Sequence, residues 1–193
     1  MFVLSVTAFA PVSRMNSRSS MKMAFESEPG VIAPTGFWDP FGLANDIDEE
    51  TFTKYRTAEL KHGRVAMLAV TGLIAAQYIR FPGGLGYDFG IKFDDIPNGV
   101  GALSVIPAFG WFQIGASIGW WEIFGWKQVE GSTPGDFGFN SYGKLPDDPE
   151  AVSTMKTKEL QNGRIAMIAI IELICHNAAQ YDQPLFDLAF VRF

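Results

Sequence analysis

The residues of this chain that are best suited to chemistry occur twice. The string from Glu59 to Met67 returns almost unchanged from Glu159 to Met167, an offset of 100 residues. Each copy places a carboxylate, a neutral side chain with a lone pair, a glycine and an arginine at the start of a long apolar run. Carboxylate, imidazole and amide groups are all metal ligands, and charges beside an apolar run are costly unless they are paired or used. The repeat therefore indicates ligand chemistry at or within a membrane.

The two charges of each copy need partners on another helix. Glu59 and Arg64 are five residues apart, which at about 100° per residue turns their side chains roughly 140° away from each other. The twin copy supplies partners by symmetry, so we predict an ion pair of Glu59 with Arg164. The reciprocal pair is Glu159 with Arg64, and together the two pairs neutralise all four charges. Small residues would let the two backbones cross closely at this point. They are Gly63, Ala66, Gly163, Ala166 and Ala169.

Side chains that can donate a lone pair to a metal are spread along the chain. His62 lies three residues after Glu59, and Asn162 has the same place in the second copy, so each acid shares a helix face with a neutral ligand-type group. Further groups of this kind are Gln113, Glu122 and His176. Because these groups do not converge, they cannot form one active site or one metal cage, but each can hold a separate ion. The Mg of a chlorin, which needs one axial oxygen or nitrogen ligand, fits this dispersal. For any one of them, a hydrogen-bonded packing residue stays the alternative.

Three long helices are predicted to position these groups. The first covers about 50–80, behind a run of acidic residues, and the third, over about 153–181, is its twin. The second, over about 104–126, has about the 20 apolar residues of a transmembrane helix, with Pro107 in its first turn. We therefore predict an all-α membrane protein with three transmembrane helices, of which the first and third cross as a pseudo-two-fold pair. Short amphipathic surface segments, such as residues 184–193, would complete it.

The first 23 residues differ in composition from the rest. They contain Arg14, Arg18 and Lys22, several serines and no acidic residue, which is typical of a plastid targeting segment. An uncleaved disordered tail is the alternative. We expect residues 24–193 to form one domain. The net charge of -6 argues against nucleic acid as a partner. Lysine and arginine are concentrated before the apolar run of the first helix, at Lys54, Arg56 and Lys61, and between the second and third helices, which predicts a stromal N-terminus.

The doubled string resembles the paired motifs of the light-harvesting chlorophyll-binding proteins, and the similarity extends from Phe37 to about Phe186. The loop from Lys92 to Gly99 is similar to that of the fucoxanthin chlorophyll a/c proteins of diatoms. Residues 8–11 resemble the plastid cleavage motif of such algae. One departure is Asn140-Ser141, where the family more often has Asp-Pro. The resemblance implies carotenoids beside the helix crossing and axial ligands to chlorophyll Mg at seven positions. These are Glu59, His62, Gln113, Glu122, Glu159, Asn162 and His176.

The resemblance implies a light-harvesting antenna protein of the plastid thylakoid membrane. Such a protein would bind chlorophyll a, chlorophyll c and fucoxanthin, with diadinoxanthin as a further candidate, and pass excitation to photosystem I or II. Its expected partners are thylakoid lipid, other antenna subunits and a photosystem core. We expect no enzymatic activity, because no nucleophile and base come together near a pocket. Two alternatives stay open: a photoprotective, quenching member of the same family, and an intramembrane ion or proton transporter.

Overall fold

A computed structural model describes residue 25 and residues 28–44, 47–85, 90–129, 131–138 and 148–179. Its helices are α1 (Glu49–Tyr78), α2 (Ala102–Val105), α3 (Ala108–Trp120), which continues as a π-helical turn at Trp121–Gly125, and α4 (Pro149–Ala179). The described residues contain no strand beyond two isolated bridges, so the predicted helical class is confirmed. The predicted targeting segment, residues 184–193 and Asn140-Ser141 lie outside the described residues.

The two long helices, α1 and α4, correspond to the first and third helices predicted. Helix α1 begins after Asp48, with two glutamates in its first turn, where acidic side chains complement the helix dipole. A hydrogen bond to the Thr51 side chain lowers the pKa of Asp48. At the other end Ile79 is extended, with φ -119° and ψ 119°, while its N–H still bonds to the carbonyl of Ala75. The helix therefore ends just before the predicted limit at residue 80.

The middle of the chain differs from the prediction. A single helix over about 104–126 is wrong, because the helix breaks after Val105. Ile106 is extended, with ψ 128°, and Pro107 stands before the first turn of α3 with ψ 148°. Proline lacks the N–H of a helix interior and disfavours helical geometry at the residue before it. Pro107 therefore ends one helix and starts the next, rather than lying inside the first turn of a continuous one.

The length and hydropathy of the described helices bear on whether they can span a membrane. No single helix among them is both long and apolar enough to cross a membrane on its own. The bent pair of Gly99–Val105 and Ala108–Gly125, whose two parts meet at 118°, passes on length and composition when taken together. The number of transmembrane helices accordingly stays a prediction.

Helices α1 and α4 pack against each other through small residues. Gly63 and Ala66 are buried on α1, and Gly163 and Ala166 are buried at the matching places on α4. A Cβ atom added at Gly63 would lie 2.9 Å from the Cα of Gly163, and one added at Gly163 would lie 3.0 Å from the Cα of Gly63. Real Cβ atoms essentially never come so close, so the two backbones approach at a distance that only glycine permits.

A second contact ties the loop before α2 to both long helices. The Asn98 side chain donates to the carbonyl of Leu73 on α1 at 2.8 Å. Asn177 on α4, which is buried, accepts from the backbone N–H of Val100 at 2.8 Å. Buried amides are stable when hydrogen-bonded in this way. The loop is thus fixed to the ends of α1 and α4 that lie away from the charged repeat.

Candidate functional site

The charged side chains of the repeat form two reciprocal ion pairs between α1 and α4. Nε of Arg64 lies 2.7 Å from Oε1 of Glu159, and Nε of Arg164 lies 2.7 Å from Oε1 of Glu59. The four side chains are between 28% and 38% exposed, so the pairs are only partly shielded from the surroundings. The structure therefore pairs the four charges between the helices, as predicted from the spacing that keeps the two charges of each copy apart.

Each arginine also holds a loop, which the sequence had not indicated. Nη1 of Arg64 donates to the carbonyl of Gly135 at 2.7 Å, and Nη1 of Arg164 donates to the carbonyl of Gly30 at 2.9 Å. Both glycines have positive φ, +81° and +93°, and a Cβ on either would collide with a leucine of the repeat. The pseudo-symmetry thus extends into the loops. These glycines are 105 residues apart rather than 100, so a search at the helix offset misses them.

Two further ion pairs break the symmetry of the repeat. Nη1 of Arg56 lies 2.8 Å from Oε2 of Glu59, while among the described residues Glu159 has no second cation. Nζ of Lys61 lies 2.7 Å from Oε2 of Glu122 and so joins α1 to the π-helical turn of the middle segment. The twin of Lys61 is Gln161, which donates instead to the carbonyl of Gly30. The difference between lysine and glutamine is a sequence signal for this contact.

The predicted axial ligands are at separate places on the helices. His62, Asn162 and Gln113 are exposed, and the remaining four are partly exposed. Within the part of the chain that the structure describes, no three His, Cys, Asp or Glu side chains come together to hold a metal ion. The arrangement offers single ligands rather than a protein cage. A cation whose other coordination positions are filled by its own macrocycle needs only one such ligand.

The hydrogen bonds of three of these residues fit a role as axial ligands. Nδ1 of His62 lies 2.7 Å from the carbonyl of Ala58, so this nitrogen carries the proton and Nε2 keeps a lone pair on the exposed side. Oε1 of Glu159 is used by an arginine, while Oε2 has no hydrogen-bond donor among the described residues. In Glu122, one carboxylate oxygen is neutralised by Lys61. Each residue thus combines an anchored atom with a lone pair that remains available to Mg.

The lead-in to α1 forms an aromatic cleft beside one of the ion pairs. The Asp39 carboxylate accepts from the backbone N–H groups of Leu43 and Ala44 at 3.0 and 2.8 Å, which holds the turn in shape. The turn and α1 line an open cleft of about 350 Å³ next to Glu59 and Arg164. Its aromatic walls are Phe37, Trp38, Phe52 and Tyr55. A flat, largely apolar group with a polar end fits such a cleft.

Comparison with known proteins shows the family of the chain. A family model described as "Chlorophyll A-B binding protein" matches residues 25–178. Fucoxanthin-chlorophyll a-c binding protein B of Macrocystis pyrifera is 49% identical over 162 residues, covering 82% of this chain and 75% of its own length. Protein A of the same alga is 48% identical over 83% of this chain and 76% of its own length. Protein F of Phaeodactylum tricornutum is 44% identical over 89% of both chains. The chain belongs to the chlorophyll A-B binding protein family.

Proposed function

We propose that this chain is a light-harvesting antenna protein that binds chlorophyll a, chlorophyll c and fucoxanthin. The observation that carries the proposal is the doubled ion pair between α1 and α4, together with the lone pairs that remain available on His62, Glu122 and Glu159. The names of the relatives, which are fucoxanthin-chlorophyll a-c binding proteins, support the same pigments. The family is one of pigment-binding proteins, so the chemistry is the absorption of light and the transfer of excitation rather than catalysis.

Seven side chains would hold the Mg atoms of chlorophyll. Bound chlorophyll supplies light absorption and excitation transfer, and the protein fixes the spacing and orientation of the pigments. The acidic ligands would work because a neighbouring cation offsets the charge of each carboxylate. The neutral ligands need no such offset. The proposed axial ligands are Glu59, His62, Gln113, Glu122, Glu159, Asn162 and His176.

We place the chain in the thylakoid membrane, with α1, the broken middle segment and α4 crossing it and the N-terminus on the stromal side. Large apolar side chains face outward on all three elements, and Leu68, Phe112 and Ile168 are 72%, 69% and 73% exposed. Outward apolar surface of this extent indicates surroundings of lipid and pigment. Diadinoxanthin, other antenna subunits and a photosystem I or II core are the further proposed ligand and partners.

The ion-transporter alternative has less support. A transport path needs polar groups that line one route and exchange their partners. Here the acidic side chains of the repeat are held by arginines, and the neutral ligand groups face outward in different directions. No structural observation favours quenching over harvesting.

Fluorescence excitation of the purified protein tests the proposal. Light absorbed by fucoxanthin and by chlorophyll c should be emitted by chlorophyll a, because the pigments are held at short, fixed distances. Protein denatured in detergent, with the same pigments free in solution, is the control and should lose this transfer. Chlorophyll a emission that is no stronger in the native protein than in the denatured control would contradict an antenna function.

A further inference from the structure

Glu172 is the one glutamate of the described helices that has neither a nearby cation nor a place in a first turn. The glutamates of the repeat and of the middle segment each lie within 2.8 Å of a lysine or arginine. Those at the starts of α1 and α4 are in the first turn, where the helix dipole favours them. Glu172 instead lies in the apolar half of α4 and is exposed. A carboxyl group in such a place is costly unless a ligand satisfies it.

The neighbour of Glu172 on the helix surface is His176. The two are four residues apart and so share one face of α4. Helical side chains lean toward the N-terminus, so the His176 ring can reach the turn that carries Glu172. Within the described residues, neither side chain has a hydrogen bond or an ion pair. As far as the described residues show, both side chains can therefore act together on a bound group.

The twin helix shows that this pair is not needed for packing. The residues 100 positions earlier are Gly72 and Ala76, which carry no polar group. A Cβ atom added at Gly72 would meet nothing within 4 Å, so this face of α1 points away from the described protein. On α4, the neighbouring Ile168 and Ile171 are 73% and 63% exposed. The carboxyl and the imidazole thus stand on an outward apolar face of one helix only.

Glu172 lacks the neighbouring cation that the proposed acidic axial ligands have. Each of those carboxylates has a cation beside it to offset the charge, and Glu172 has none among the described residues. Instead of binding Mg itself, Glu172 can hold the imidazole of His176. A histidine that binds a metal almost always donates its other N–H to a carboxylate or a carbonyl. His62 already shows this arrangement, with Nδ1 2.7 Å from the Ala58 carbonyl one turn earlier.

We propose that Glu172 is the positioning residue of the His176 chlorophyll site: when His176 binds the Mg through Nε2, the Glu172 carboxylate would accept a hydrogen bond from Nδ1–H. The inference rests on the proposed function, because it requires that His176 binds chlorophyll. The carboxylate fixes the tautomer and the ring orientation and makes the imidazole a stronger ligand. It also places a negative charge near one pigment only, so the absorption of that chlorophyll depends on residue 172.

The test compares three variants of the full chain, reconstituted with chlorophyll a, chlorophyll c and fucoxanthin. Glu172→Ala should weaken retention of one chlorophyll by about 10- to 100-fold, the range found when such an outer partner is removed. Glu172→Gln keeps an acceptor and should retain that chlorophyll, with its red absorption band shifted because the charge is gone. Glu150→Ala, which removes an exposed carboxylate about 33 Å away along the same helix, is the control and should change neither.

The double variant His176→Leu/Glu172→Ala decides between positioning and a separate site. It should lose the same single chlorophyll as His176→Leu and no other. Loss of a second chlorophyll would overturn the inference, because Glu172 would then hold its own pigment. An unchanged pigment count and absorption spectrum in both Glu172 variants would also overturn it. In either case, wild-type chlorophyll binding and its decrease in His176→Leu show independently whether the proposed function holds.

Discussion

Arg64 and Glu159 are joined by a 2.7 Å ion pair between the two long helices, and Arg64 at the same time donates to the carbonyl of Gly135. One guanidinium therefore fixes three segments of the chain: α1, α4 and the loop between the middle segment and α4. Arg164 of α4 likewise pairs with Glu59 of α1 and donates to the carbonyl of Gly30, so it joins both helices to the lead-in before α1. The fork geometry of arginine suits this double task, which a lysine cannot perform with the same directionality.

Exchange of charges should restore one ion pair better than the other. Glu159→Gln and Arg64→Gln each leave a partner uncompensated and should lower the yield of assembled protein by at least about tenfold, or ~1.4 kcal/mol. The exchange Glu159→Arg with Arg64→Glu should recover part of that yield. The corresponding exchange of Glu59 with Arg164 should recover less, because Arg56 lies 2.8 Å from Glu59 and would repel a new arginine. Yield is measured as pigmented protein after reconstitution. Equal yields of the single variants and wild type would disprove the role of the pairs in assembly.

An added methyl group at the helix contact should separate α1 from α4. Gly63→Ala places a Cβ 2.9 Å from the Cα of Gly163, which forces the backbones apart and should cost about 1–3 kcal/mol. Gly72→Ala is the matched control on the same helix, because a Cβ there meets nothing within 4 Å. The shift in thermal denaturation should be large for the first and small for the second. Similar melting temperatures for the two variants would mean that the glycine contact is not needed.

The loop glycine at position 135 should be needed for more than its backbone conformation. Gly135→Ala and Gly36→Ala both put a side chain at positive φ, +81° and +62°, so both should suffer backbone strain of about 1–2 kcal/mol. Only the Cβ at position 135 also meets Leu60 and Arg64. We expect Gly135→Ala to be the more destabilising by about 0.5–1.5 kcal/mol, because the end of the Leu60 side chain must leave its preferred rotamer. Thermal denaturation of the pigmented protein measures the difference. If the two variants have the same melting temperature, backbone strain alone accounts for the loss of stability.

The role of His62 can be tested with asparagine, the residue that the second copy of the repeat has at the equivalent position. His62→Leu should lose about one chlorophyll per chain while the fold is kept, because leucine has no lone pair. His62→Asn should retain that pigment, since Asn162 occupies the equivalent place on α4. Chlorophyll per chain is counted after extraction, with circular dichroism as a check on helix content. An unchanged chlorophyll count in the leucine variant would show that His62 is a packing residue.

The contact between Lys61 and Glu122 should couple α1 to the middle segment. Lys61→Gln introduces the residue of the twin helix and leaves Glu122 without its cation, so it should destabilise the protein by about 0.5–1 kcal/mol for a partly exposed pair. Lys61→Gln with Glu122→Gln should lose less than the sum of the two single variants. A double-mutant cycle on thermal stability measures this coupling. Strict additivity would mean that the two side chains do not interact.

The central charges of the fold could be predicted from the sequence because they follow from symmetry and helix geometry. Glu59 and Arg64 cannot meet on one helix, so the repeat itself identifies the partner. The small residues at the contact follow from the same symmetry. These features depend only on spacing within α1 and α4, which a regular helix preserves.

The remaining contacts depend on segments whose geometry is not repeated. Glu122, the partner of Lys61, lies in the π-helical turn that ends the middle segment. Neither this turn nor the break before it at Pro107 can be placed from hydropathy alone. The carbonyls of Gly30 and Gly135 are backbone atoms, which leave no residue type to search for. Glu172 was visible in the sequence, but its isolation becomes evident only once the partners of the other glutamates are known.

Pigment extraction from the protein purified from thylakoids tests most directly whether the Glu/Arg repeat is a scaffold for chlorophyll. We predict several chlorophylls per chain, including chlorophyll a and chlorophyll c, together with fucoxanthin, and an absorption spectrum that differs from that of the free pigments. A folded protein that is purified without colour would contradict the proposal.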